Sequence, residues 1–152
     1  MSTVYMDIQN ISPKIEMYDY ENIVAKFAVS EGVREKDSTK FFKQQWMPFA
    51  WAATIGFVEN VRKPLEGELK SNTFKYSTIN SNGERIFQSL ILYTVAVEGY
   101  EILNDSSKIN KTIEEFANGG FEIIHDKIST TPNYFNHPND YINFLLDWIK
   151  IR

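Results

Sequence analysis

The stretch Phe41 to Phe57 constrains this 152-residue chain more than any other. It reads Phe-Phe-Lys-Gln-Gln-Trp-Met-Pro-Phe-Ala-Trp-Ala-Ala-Thr-Ile-Gly-Phe, and from Phe49 to Ile55 apolar side chains fall on nearly every face of a helix. A helix that is apolar all round has to be buried by its neighbours, so the other elements are expected to wrap around this one. Two helical readings compete for its start. One begins near Ser38 and kinks at Pro48; the other begins at Pro48, whose fixed φ and missing N–H suit a first helical position. Both readings end at Gly56, a residue type suited to closing a helix.

The remaining elements are read from hydrophobic spacing. Residues 1–17 carry Pro13 and a weak alternation at Val4, Met6 and Ile8, which suits a short strand or a docking arm. Asp19 is placed to cap a helix over about 20–30, with Ile23, Val24, Phe27 and Ala28 on one face and Gly32 at its end. Arg34 to Ser38 then reads as a charged loop. From Glu59 to Asn82 the chain is polar and basic, with Pro64, Gly67 and an Asn-Ser-Asn-Gly turn. Only Phe74 to Ile79 alternates as a strand would. A helix opens at Asn82 or Gly83 and runs to Val97 or Tyr100, with a wide apolar stripe of Ile86, Phe87, Leu90, Ile91, Tyr93, Thr94 and Val97.

Another helix begins at Ser106 or Ser107 with Ile109, Ile113, Phe116 and Ala117 inward. Asn118-Gly119-Gly120 interrupts it. Either the helix stops there and a new one starts, or the glycines permit a close helix contact inside one longer helix. A polar loop with Pro132, His137 and Pro138 leads to a last helix, Asn139 to Ile151. The expected fold is mostly α: one domain over 1–152, with 1–17 as an arm and 18–152 as a compact bundle of about five helices and at most a short strand or hairpin.

Hydrophobic residues at 43% supply a sizeable core, and the absence of cysteine removes disulfides, thiolate catalysis and cysteine-based zinc sites. The N-terminus lacks the basic and apolar regions of a secretory signal. The best apolar window, Ile86 to Val97, is too short for a membrane span and carries Gln88, Ser89 and Thr94. A cytoplasmic protein without a membrane role is expected. The net charge of −4 argues against indiscriminate coating of nucleic acid. Charge is nevertheless uneven: eight basic residues against five acidic between Arg34 and Lys75, then six against ten from Ser77 onward.

Catalysis needs converging groups, and few are offered. His125 follows an apolar pair and reads as a helix-surface or boundary residue, while His137 lies in a loop. No His-Glu-x-x-His, Gly-x-Ser-x-Gly or glycine-rich phosphate loop occurs. Glu68-Leu69-Lys70 imitates half of a Mg²⁺-dependent nuclease site, which would also need a second carboxylate on a neighbouring strand of a mixed sheet. Glu114-Glu115 and Glu98 with Glu101 read as solvated helical pairs. Gly119-Gly120 could offer free N–H groups to an anion only if it began a helix. No catalytic, cofactor-binding or metal-binding residue is assigned, and no cofactor is expected. Candidate contacts to nucleic acid or a partner are Lys40, Lys43, Arg62, Lys63, Lys70 and Lys75, where lysine and arginine could meet phosphate beside Phe41, Phe42, Phe74 and Tyr76.

Two segments also carry a family resemblance. Phe49 to Phe57, followed by Arg62-Lys63-Pro64-Leu65, resembles an "apolar-x-x-Ala-Ala-x-x-Gly-aromatic … Arg-Arg-Pro-Leu" signature. Ile113 to Ile124 is similar to the same family's "Glu-x-aromatic-Ala-Asn-Gly-Gly" segment. The family is that of the DNA phosphorothioation-associated (Dnd-associated) small proteins of bacteria, and the resemblance covers about 41–127. It implies a role in a bacterial anti-phage or DNA-modification cluster, with no catalytic residues to carry over. The leading expectation is a non-catalytic accessory subunit that binds a larger protein of the same cluster. The alternatives are a DNA-binding module using 34–75 and, behind it, a Mg²⁺-dependent nuclease.

Overall fold

The computed structural model describes residues 7–28 and 42–130. Val4, Met6, Gly32, the Arg34–Ser38 loop, Lys40, Phe41, the loop with His137 and the last expected helix lie outside the described residues. The fold is mostly α, a compact helical assembly with one two-stranded antiparallel ladder among the described residues.

The element that leads the argument, α2 (Trp46–Glu59), sits at the centre as its composition requires. Trp46, Phe49, Ala50, Ala52, Ala53, Ile55 and Phe57 are all buried. Pro48 stands in its first turn, where a missing N–H costs no helical bond. The expected stop at Gly56 is corrected: the helix continues to Glu59 and closes at Asn60, which takes the left-handed conformation at φ 56°. Gly56 serves a different need. A Cβ there would collide with the backbone carbonyl of Phe116 on the helix that crosses it.

That crossing helix is α5 (Ser106–Thr130), 25 residues without a break. Of the two readings of Asn118-Gly119-Gly120, the close-contact one holds. A Cβ on Gly120 would run into the Ala52 carbonyl, and one on Gly119 into the Val61 carbonyl. Their N–H groups belong to a helix interior, so the glycines open no anion site at a helix start. Gly56, Ala52 and Gly120 together let α2 and α5 meet backbone to backbone, and Phe57 stacks on Phe116 at 4.3 Å between ring centres.

Around this pair the other elements close the core. The arm residues Ile8 and Ile15 are buried. β1 (Ile15–Glu16) pairs antiparallel with β2 (Leu69–Lys70), Ile15 opposite Lys70 and Glu16 opposite Leu69. A helical run, α1, follows: Met17–Asp19, a π-helical turn Tyr20–Val24, then Ala25–Phe27. Ile23, Val24, Phe27 and Ala28 face the core as their spacing predicts. Asp19, however, is no cap. The helix starts after Glu16, and Asp19 lies buried inside the first turn.

The expected strand at Phe74–Ile79 is instead a short helix, α3 (Tyr76–Asn82). Tyr76 and Ile79, three apart, both reach zero exposure on one helical face. Phe74 still packs edge-on against Phe49 at 5.3 Å. α4 (Glu84–Glu98) runs on to Gly99, whose φ of 91° turns the chain into a 3₁₀ turn at Tyr100–Asn104. Only part of its wide apolar stripe is used inward: Phe87, Leu90 and Thr94 are buried, while Ile86, Tyr93 and Val97 are exposed with Leu92 and Tyr100.

Candidate functional site

The polar segment after α2 lies as a strap along α5. Its backbone is held by three groups of that helix. Lys63 N–H donates to the Glu115 carbonyl at 3.0 Å. The Asn118 side-chain amide donates to the Lys63 carbonyl at 3.2 Å and to the Pro64 carbonyl at 3.1 Å. Gly119 leaves room for the Val61 carbonyl. The Arg62-Lys63-Pro64-Leu65 and Asn118-Gly119-Gly120 signatures are therefore two halves of one contact.

Arg62 ties this strap to two helices. Its Nε donates to Glu115 Oε2 at 2.7 Å and its Nη1 to Glu98 Oε1 at 2.5 Å. The guanidinium lies 5.5 Å from the Phe116 ring centre. Thr112 completes the group by donating to Glu98 at 3.2 Å. The Arg62 hydrogen bond is the main reason the Glu98 carboxyl is held below its ordinary pKa. Burial works against the charge on Arg62, but the hydrogen bonds and charges of Glu115 and Glu98 outweigh it, leaving that pKa raised. Glu98 and Glu115 are thus not the solvated carboxylates their sequence positions suggest. Glu114 is also engaged: it accepts from the Lys14 N–H at 2.6 Å, and burial raises its pKa. Beside it, burial and then the Glu114 charge push the Tyr76 phenol well above its usual range.

A second feature lies where α1, the strap and α5 meet. Asp19, 4% exposed, accepts a hydrogen bond from His125 Nε2 at 2.7 Å. A carboxylate can only accept, so the Nε2 proton sits on the histidine. Tyr18 leans over the imidazole at 4.8 Å between ring centres and is itself 65% exposed. Beside this pair opens a cleft of about 210 Å³ lined by Glu16, Lys63, Asn118, Glu122, Asp126 and Ser129. Lys63 reaches Glu122 across its rim at 3.6 Å. Glu16 is occupied, accepting from the Glu66 N–H at 2.9 Å and from Asn118 at 3.3 Å.

The candidate basic residues do not gather into one strip among the described residues. Arg62 is inside the carboxylate network, and Lys63 lines the cleft. Lys70 Nζ stands 5.1 Å from the Tyr20 ring centre, while Lys43 and Lys75 are exposed at separate points of the chain. Lys40 lies outside the described residues. The nuclease candidate has a poor frame: Glu68 and Lys70 belong to a two-residue ladder, not a mixed sheet. Among the described residues no three histidines or carboxylates are grouped to hold a metal.

Sequence reasoning missed the Asp19–His125 pair because the partners are 106 positions apart and His125 was weighed against His137 instead. The signal available was that both polar residues sit beside apolar runs, the position of a side chain at a packed boundary.

No helix among the described residues is long and apolar enough to cross a membrane. No curated protein and no solved structure matches the chain. One family model does match, over residues 19–144, which takes in Asp19, the α2–α5 crossing, the strap and His125. That span is most of the chain, and it contains both signature segments that the fold brings into contact. The chain belongs to the family described as DNA sulphur modification system-associated protein 4.

Proposed function

We propose that this chain is an accessory subunit of a bacterial DNA sulphur modification and defence system, acting in the cytoplasm by binding a larger protein of that system and carrying out no chemistry of its own. The observation that carries this reading is the cleft beside Asp19 and His125. It combines an exposed aromatic rim, Tyr18, with donors and acceptors on Lys63, Asn118 and Ser129. Aromatic side chains beside mixed polar groups are what polypeptide interfaces concentrate. Its carboxylates, Glu16, Asp19, Glu122 and Asp126, outnumber its basic groups and repel a phosphodiester backbone. Lys63, one of the basic residues singled out by sequence, acts here as a partner contact.

The test is co-purification from cells that carry the surrounding gene cluster. A double variant, Tyr18→Ala with Asp126→Lys, alters two exposed cleft residues and leaves the buried Asp19–His125 pair in place. The wild-type chain should retain a larger protein that the variant loses, with unchanged circular dichroism. Full retention by the variant would refute the cleft as the docking site. The DNA-binding alternative predicts instead direct binding whose affinity falls steeply with salt and which Lys43→Glu with Lys75→Glu abolishes.

A further inference from the structure

α4 contributes nothing to the cleft, and its outer side is a second surface. Down that side runs a line at spacings of four and three: Arg85, Ser89, Leu92, Ala96, Gly99. This is the seam pattern of helix-on-helix packing. Leu92 on this line is 68% exposed, and Tyr100 beyond its end is 81% exposed. Ile86, Tyr93 and Val97 flank it, also exposed. Between Arg85 and Glu101 the only charged side chain is Glu98, which is already paired with Arg62.

We propose that this face is covered by a second copy of the chain, with the two α4 helices antiparallel across a two-fold axis near Leu92. The sequence of the seam is complementary to itself when reversed. Leu92 meets its own counterpart at the axis. Ser89 meets Ala96 of the second copy, and these small side chains let the helices approach closely. Arg85 meets the second copy's Glu101, and symmetry makes this opposite-charge contact twice. A parallel pairing would set Arg85 against Arg85 and Glu101 against Glu101, so the charges select the antiparallel arrangement. The exposed surface of Ile86, Leu92, Tyr93, Val97 and Tyr100 amounts to about 600 Å² per copy. A pair therefore has about 1,200 Å² to bury, the lower edge of a standard specific interface. A symmetric dimer also matches the commonest form of self-association, in which one patch faces itself.

Sedimentation equilibrium on the full chain tests this. The wild-type protein should show dimer mass at tens of micromolar, about the range for an interface of this size. Leu92→Glu should weaken dimerisation by roughly tenfold to a hundredfold. Arg85→Glu alone should also weaken it, and Arg85→Glu with Glu101→Arg should restore it. Since the chain has no cysteine, introduced thiols report the register. Leu92→Cys should oxidise to a covalent dimer. Ser89→Cys and Ala96→Cys should cross-link when mixed but not singly. A wild-type monomer at about 200 µM, far above the range expected for this area, would overturn the proposal. So would a dimer that Leu92→Glu leaves intact, or a Ser89→Cys chain that cross-links to itself. Loss of the larger partner, rather than of the dimer, on Leu92→Glu would assign the face to that partner and also overturn it. None of these outcomes depends on the cleft.

Discussion

Replacing Gly120 by alanine separates two explanations of the Asn-Gly-Gly segment by the sign of the effect. In an exposed helix interior, Gly→Ala stabilises by about 1 kcal/mol through helix propensity and chain entropy. Here the added methyl would overlap the Ala52 carbonyl carbon and oxygen, with the Ala52 Cα also at its edge. Those atoms are backbone inside α2 and cannot swing away, so α2 and α5 must separate by more than 1 Å, roughly the overlap to be relieved. A gap of that size forfeits about a quarter to a half of the dispersion energy of the contacts it opens. The facing surfaces include Phe57 stacked on Phe116 and the buried Ala53, Ile113 and Phe121. Overpacking costs of about 1–3 kcal/mol are usual with adaptable neighbours. With rigid ones, a net loss of about 3 kcal/mol is expected after the propensity gain. For a chain of this length that lowers Tm by about 6–12 °C. Thermal unfolding followed by circular dichroism measures it, with urea unfolding as a check on the slope. An unchanged or raised Tm for Gly120→Ala would refute the close backbone crossing.

Arg62→Ala should destabilise by about 1–3 kcal/mol in urea unfolding, a buried-pair cost reduced because Arg62 is 34% exposed. Any loss of DNA or partner binding in that variant therefore has to be separated from loss of fold. Asn118→Ala removes the amide that holds the Lys63 and Pro64 carbonyls and should cost about 1–3 kcal/mol, with faster hydrogen exchange confined first to the strap. For pH, Glu98 has a lowered pKa in the folded state, so its contribution is present above the unfolded value of 4.5 and is lost as pH falls through the folded one. Glu114 is raised and has the opposite sign: its contribution is present below 4.5 and is lost as pH rises through its folded value. Stability measured between about pH 5 and pH 3 should thus fall less steeply in Glu98→Gln than in wild type, and more steeply in Glu114→Gln.

The parts of this fold that follow from one-dimensional spacing were legible in the sequence. Phe49 to Ile55 announces a central helix because no helical face is free of apolar side chains, and Phe87, Leu90 and Thr94 find the core by helical periodicity. What spacing cannot supply is the reason for a residue. Gly56 and Gly120 have the composition of helix ends, yet both are mid-helix glycines whose missing Cβ admits another backbone. Asn118 reads as a turn former and is instead the clamp for a strap 54 positions away. The site was less legible still. Arg62 was visible as a basic residue, but its partners Glu98 and Glu115 come from two other elements, and only the fold converts a candidate DNA contact into an ion-paired tie. Asp19 looked like a cap because it precedes an apolar run; its true partner, His125, is set by the packing of α1 on α5.

The most direct test of the account is affinity purification of the tagged chain from cells expressing the whole modification cluster, after nuclease treatment and washing in high salt. Electrostatic contacts to DNA are lost under those conditions, whereas a packed protein interface survives. The account predicts a larger protein of the cluster in constant ratio to this chain. A chain that elutes without such a protein, or whose companions vanish with nuclease or salt, would contradict it.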